Sequence, residues 1–186
     1  RVMGAERAPF EALSSAGFPV IFEEPDLPAL APEGESKDLA RRRNQEGEIT
    51  VWRGDPRILL SDPSRLVEVC GFIRDELGFR MLYDLAGCDL AAEDPGLLVV
   101  YGFLDLEKKQ RLVLEVEVAK EGPSLPSVAE VFPAANWHER EAAEMYGLVF
   151  EGHPDPRALL LPDDWEGFPL RKDYVFPEEY HGIPWA

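Results

Sequence analysis

The stretch LLVVYGFLDLEKKQRLVLEVEV, Leu97 to Val118, decides the fold. Leu112, Leu114, Val116 and Val118 alternate with Arg111, Val113, Glu115 and Glu117, a period of two that marks a strand with one covered face. Leu97 to Leu106 is apolar enough to be its partner, and Glu107 to Gln110 makes the turn between them. Upstream, Asp62-Pro63 supplies an N-cap and a proline at the first helical position. Leu66, Val69, Cys70, Ile73 and Leu77 then fall on one helical face, and Gly78 stops the run. A stripe of that kind packs on a sheet as core. Phe79 to Ala86 reads as the next strand, Glu48 to Trp52 as another, and Arg57 to Leu60 as the partner of the latter across Gly54-Asp55-Pro56. The sum is an α+β fold, an antiparallel or mixed sheet with helices packed on one side.

Towards the N-terminus, residues 9–17 read as a short helix closed by Gly17, followed by an extended apolar run from Phe18 to Phe22. Glu23 to Gly47 holds Pro25, Pro28, Pro32 and Gly34 with little apolar periodicity, and reads as a loop or linker. The basic run Arg41 to Arg43 within it is a solvated surface in an acidic chain. Three parts result: a helix, strand and linker over 1–47, an α/β core over 48–147, and a strap over 148–186.

Beyond the hairpin, Pro123 to Pro126 reads as a loop and Ser127 as the start of a short helix that Pro133 ends. Asn136 and Glu139 have capping-box spacing for a further helix, Glu139 and Glu141 sit near its positive end, and Gly147 stands where a left-handed stop belongs. After it, His153-Pro154-Asp155-Pro156, Pro162 and Pro169 exclude a continuous helix or a central strand. Yet Trp165, Phe168, Tyr174, Phe176, Tyr180 and Trp185 are too many rings for a solvated tail, so the segment reads as an extended proline-rich strap that lies against something.

The 186 residues are enough for one cored domain with a tail. A formal charge of −17 repels phosphate backbones and anionic lipid head groups, which argues against nucleic-acid and membrane-surface binding. The apolar run from Leu97 to Leu104 is far shorter than the roughly 20 residues that cross a bilayer, and no secretory pattern opens the chain, so the isolated protein is expected to be soluble. Its first residue, Arg1, is not an initiator methionine, which points to a trimmed chain or an expression scar. Cys70 and Cys88 supply neither a disulfide framework nor the four thiolates of a typical iron-sulfur cluster.

His138-Glu139-Arg140-Glu141-Ala142 approaches the zinc-protease helix but has alanine where a second histidine is needed. A free-standing metal hydrolase built on His138, Glu141 and His153 is a rival reading, but these three dispersed residues lack ligand spacing. Acids early in a helix are explained by the helix dipole, and Arg140 with Glu144 by side-chain pairing, so Glu139, Glu141 and Glu144 are not read as acid-base catalysts. No nucleotide or phosphate loop and no nucleophile elbow is present. Arg171-Lys172-Asp173, flanked by Pro169 and Tyr174, suits an anchor across an interface between subunits.

Glu139-Arg140-Glu141, Met145-Tyr146-Gly147, Phe150-Glu151-Gly152-His153-Pro154, Asp164-Trp165 and Pro169-Leu170-Arg171-Lys172-Asp173-Tyr174 resemble, in order, the signature of the thirty-kilodalton subunit of the proton-translocating NADH:quinone oxidoreductase, respiratory complex I. The resemblance runs from about Pro126 to Tyr174, with Glu144 where the family often has aspartate. It implies a structural subunit of the hydrophilic arm with no catalytic centre, metal or cofactor of its own. The parent complex would hold FMN, iron-sulfur clusters and quinone. It implies packing on the forty-nine-kilodalton subunit and neighbouring subunits, at the cytoplasmic face of the cell membrane and without insertion. Glu139, Arg140, Glu141, Gly147, His153, Pro154, Arg157, Trp165, Pro169, Arg171, Lys172 and Asp173 become partner-docking or strap-positioning residues. The chain would be the form not fused to the large subunit, and residues after Glu151 would be mobile, or held by other contacts, without their partner. The same subunit type serves membrane hydrogenases and complexes with other electron donors, which is the alternative.

Overall fold

A computed structural model describes residues 3–23, 57–89 and 96–184. Its central sheet contains β1 (Val20–Glu23), β2 (Arg57–Leu60), β3 (Met81–Asp89), β4 (Gly96–Asp105) and β5 (Gln110–Ala119) in the order β1-β2-β5-β4-β3. Only β2 and β5 run parallel, so the sheet is mixed. The helices are α1 (Met3–Ser15), α2 (Leu66–Asp75) and α3 (Ala135–Tyr146). Two small ribbons complete the described residues: β6 (Ser124–Pro126) parallel to β7 (Val149–Glu151), and β8 (Glu179–Tyr180) antiparallel to β9 (Ile183–Pro184).

The β4–β5 hairpin forms as its alternation predicts, one residue earlier at the turn. Asp105 pairs with Gln110, and its carboxylate accepts the N–H groups of Glu107 and Lys108 at 2.9 and 3.0 Å, while Lys109 takes the left-handed conformation. Leu97, Val99, Tyr101, Phe103, Leu112, Leu114 and Val116 share the core face. Against it lie Leu66, Val69, Cys70 and Ile73 of α2; the Asp62 carboxylate, which accepts the Ser64 N–H, caps the 3-10 turn Pro63–Arg65 that leads into α2, and α2 itself has no side-chain cap. Burying three such aliphatic chains is worth roughly 1.5–3 kcal/mol each. The third helix covers the same face: Gly87 pairs with core-facing Val99, and a Cβ on Gly87 would lie 2.5 Å from the Tyr146 ring. No helix of the described residues is long and apolar enough to cross a membrane.

Several expectations need correction. Both edges of β2 are taken, by β1 and β5; the strand expected over Glu48–Trp52 lies outside the described residues, as does the Glu23–Gly47 linker except for Glu23, which ends β1. Ser124–Pro126 is a strand and not a loop, because Leu125 is drawn into the core beside Phe150. Residues 127–133 make a single turn, closed by Phe132 N–H on the Val128 carbonyl, and not a helix. The far sheet face is less open than alternation implies, since Glu115 is only 8% exposed, with Arg57 Nη1 at 3.5 Å.

Candidate functional site

The third helix begins one residue before Asn136, and that shift reassigns its acids. Its N-cap is Ala134, already helical in conformation and without a side-chain cap, because the turn from Phe132 onwards feeds directly into it. The capping box is therefore not used. Instead Glu139 turns inward and is fully buried. One carboxylate oxygen accepts the Val128 N–H at 2.7 Å and the other the Ser127 hydroxyl at 2.5 Å. Burial pushes the Glu139 carboxyl above its ordinary range, against the pull of these two donors and of His153. Gly147 ends the helix as expected, at φ +70°.

His153 seals the other side of Glu139. Its Nδ1 accepts the Asp155 N–H at 3.0 Å, so the ring proton sits on Nε2 and is donated to the Asn136 carbonyl at 3.1 Å. The imidazole thus clips the strap to the helix. His138, Glu141 and His153 do not converge: Glu141 is exposed, and no group of three His, Cys, Asp or Glu side chains suited to a metal occurs among the described residues.

The outward face of α3 holds the strap by its backbone. Arg140 Nε and Nη2 donate to the carbonyls of Arg157 and Ala158 at 2.8 and 2.9 Å, with Nη1 3.6 Å from Asp155. One turn later, the Glu144 carboxylate accepts the N–H groups of Leu159, Leu160 and Leu161 at 2.8, 2.8 and 3.2 Å. Arg140 and Glu144 are four residues apart, yet their bonds run to the strap, where pairing with each other was the expectation. Asp155, gripped by Arg157, is held down to about 2.

At the helix end, Arg171 Nε donates to the Tyr146 carbonyl at 2.6 Å and Leu170 N–H to the Met145 carbonyl at 3.1 Å, a cation placed on the negative helix terminus. The Arg171 guanidinium also stacks 4.6 Å from the Phe168 ring. Beyond it, the Lys172 N–H and the Lys120 ammonium both reach the Asp89 carboxylate, and Lys120 bridges on to Asp173 at 3.3 Å. Arg171 and Asp173 are thereby engaged within the chain. Pro169 lies within the turn, closed by the Arg171 N–H on the Phe168 carbonyl, that brings Leu170 onto the helix. Trp165 stacks with Tyr174 and meets Phe176 edge-on, so these rings pack on one another. Pro154 and Arg157 are exposed.

Sequence reasoning passed over Ser127, Asp89 and Lys120, which hold Glu139 and the strap end. Their positions are set by tertiary contacts across 12 to 83 residues, which no local spacing reveals. Among the groups left outward are five large apolar side chains: Trp137, Leu160, Leu170, Val175 and Phe176 are all more than half exposed.

Residues 59–180 match the family described as the respiratory-chain NADH dehydrogenase, 30 Kd subunit. An NADH-quinone oxidoreductase subunit from Chloroherpeton thalassium is 52% identical over 173 residues, 86% of this chain and 71% of that one. Its counterpart from Roseiflexus castenholzii is 44% identical over 124 residues, 66% of this chain and 71% of that one. Among solved structures, a trypsin-resistant fragment of Nqo5 superposes with a TM-score of 0.55 at 28% identity, covering 78% of this chain and 95% of that one. A chain of a membrane-bound sulfane sulfur reductase, an archaeal respiratory membrane complex, shares the fold with a TM-score of 0.58 at 19% identity, over 69% of this chain and 76% of that one.

Proposed function

This chain belongs to the thirty-kilodalton subunit family of the respiratory-chain NADH dehydrogenase, and we propose that it is a structural subunit of the hydrophilic arm of NADH-quinone oxidoreductase. In this reading it packs on the forty-nine-kilodalton subunit and its neighbours at the cytoplasmic face of the membrane. It supports electron transfer from NADH to quinone, coupled to proton translocation, without a catalytic centre of its own. FMN, the clusters and quinone then belong to other subunits. The core, 48–147, is the platform, the segment 1–47 its extension, and 148–186 the docking strap. Trp165, Arg171, Lys172 and Asp173 act as strap-positioning residues, together with Glu139, Arg140, His153 and Pro154.

The observation that carries this reading is the apolar set Trp137, Leu160, Leu170, Val175 and Phe176, exposed on a helix and strap that Arg140, Glu144 and Arg171 hold together. Large exposed apolar surface of this kind suits a permanent protein contact. The names of the two relatives favour NADH as donor over the donors of related complexes. The test is a pull-down of the tagged chain from its own membranes, alongside a Leu160→Ser plus Leu170→Ser variant, with NADH:quinone activity scored in the eluate. Recovery of a multi-subunit quinone reductase by the parent and its loss in the variant is expected. A parent that elutes alone would refute the reading.

A further inference from the structure

Among the described residues the strap from Arg157 to Leu161 has no strand partner, and a backbone without one must find its hydrogen bonds elsewhere. Two side chains of α3 supply five of them. Arg140, a donor only, takes the carbonyls of Arg157 and Ala158; Glu144, an acceptor only, takes the N–H groups of Leu159, Leu160 and Leu161. The order of polarity along the strap, carbonyls then N–H groups, matches the order of charge along the helix. All five bonds are made to strap backbone, so the grip does not depend on the side chains at 157–161 as long as 159–161 keep their N–H groups.

We infer that Arg140 and Glu144 form a polarity-matched latch that seats residues 157–161 on α3 within the isolated chain, before any partner is bound. The strap then meets its partner as a preformed ridge, with its leucines presented by a fixed backbone, and association does not bear the ordering entropy of a mobile tail. This last consequence rests on the scaffold reading; the latch itself does not. Of the two states expected for residues after Glu151, mobile or held by other contacts, the latch is the second for residues 157–161. Farther along, Arg171 on the Tyr146 carbonyl and Lys172 N–H on Asp89 hold the strap in the same manner, side chain to main chain in each case.

A latch of this kind differs from an ordinary ion pair four residues apart on a helix in one testable respect. Exchanging the two charges preserves a pair and, with glutamate placed first, gives it the better orientation on a helix. It destroys the latch, because a carboxylate would then face two carbonyls and a guanidinium three N–H groups.

The experiment is amide hydrogen exchange on the isolated full chain at micromolar concentration, comparing the parent, Glu144→Gln, and the exchanged variant Arg140→Glu plus Glu144→Arg. The amides of β4 and β5 serve as the internal measure of folding. In the parent, Leu159, Leu160 and Leu161 are expected to exchange about tenfold or more slower than in an unstructured peptide, as charge-assisted bonds predict. That protection is expected to fall in Glu144→Gln and to vanish in the exchanged variant, while the sheet amides stay protected. Absence of protection in the parent would overturn the latch, and so would protection that survives the charge exchange. If the helix variants fail to fold, Leu160→Pro, which deletes one donor from the strap side alone, is decisive: undiminished protection at Leu159 and Leu161 would sink the proposal. Because no partner is present, failure here leaves the scaffold reading standing, and failure of the pull-down leaves the latch standing.

Discussion

Glu139 Oε2 and His153 Nε2 lie 3.7 Å apart in the interior, yet the hydrogen bond of Nε2 runs to the Asn136 carbonyl at 3.1 Å, while Nδ1 accepts the Asp155 N–H. The carboxyl depends instead on Val128 N–H and the Ser127 hydroxyl. Replacing it by alanine removes the partner of both buried donors and is expected to cost about 2–4 kcal/mol. Glutamine, the same shape with one acceptor retained, is expected to cost far less. Chemical denaturation of Glu139→Ala and Glu139→Gln at neutral pH checks the contrast, and equal losses would contradict it.

The same residue fixes a direction with pH. Burial raises the carboxyl of folded Glu139 above its ordinary value of 4.5. Its contribution is therefore fully present below about 4.5 and is lost as the pH rises through the raised folded value. Glutamine does not titrate. The melting temperature of the parent relative to Glu139→Gln is expected to fall over that window and then level off. A difference that grows with pH would show that the carboxylate is stabilised in the fold.

Asp89 behaves in the opposite sense. Burial pushes its carboxyl up, but Lys120 and the Lys172 N–H together outweigh burial and hold it below the ordinary 3.8. Its contribution is present above about 3.8 and is lost as the pH falls through the depressed value. Asp89→Asn is expected to loosen the strap end at neutral pH, read as faster amide exchange at Lys172 with little change at Leu114. Unaltered exchange at Lys172 would refute the anchor.

Gly147→Ala places a side chain at φ +70°, with its Cβ 2.5 Å from the Phe168 ring and 2.8 Å from Arg171 Nη2. Both the strained backbone and the displaced ring oppose it, and a loss of about 2–3 kcal/mol is expected by urea titration. A cost below about 0.5 kcal/mol would mean that the Phe168 and Arg171 contact yields freely.

Thiol labelling separates the two cysteines. Cys70 is fully buried, and burial pushes its thiol far up; Cys88 is half-buried and raised less. Under native conditions a colourless aromatic disulfide reagent is expected to label Cys88 slowly and Cys70 only after unfolding. Rapid labelling of both would mean that α2 opens readily from the sheet.

The β4–β5 hairpin and α2 were legible because each carries its own period over ten residues or so, and nothing overrides it. The fate of Glu139 was not, because the capping-box spacing from Asn136 offered a local use for a carboxylate that the fold places in the core. The Leu125 strand was hidden by its two flanking prolines and by a partner, Phe150, far along the chain. Arg140 and Glu144 were visible as charges but not as backbone partners, since a strap without periodic structure leaves no trace in sequence of which side chains satisfy it.

The slot that β2 occupies has a consequence for how the chain is made. Ile58 pairs with Leu114 and Leu60 with Val116, so β2 has no sheet to enter until β5 exists, and β1 has no neighbour except β2. During synthesis, from N-terminus to C-terminus, residues up to Leu60 leave the ribosome well before the hairpin that will receive them. Through that interval β1 and β2 can pair with each other, but the five-stranded sheet is completed only when β5 arrives.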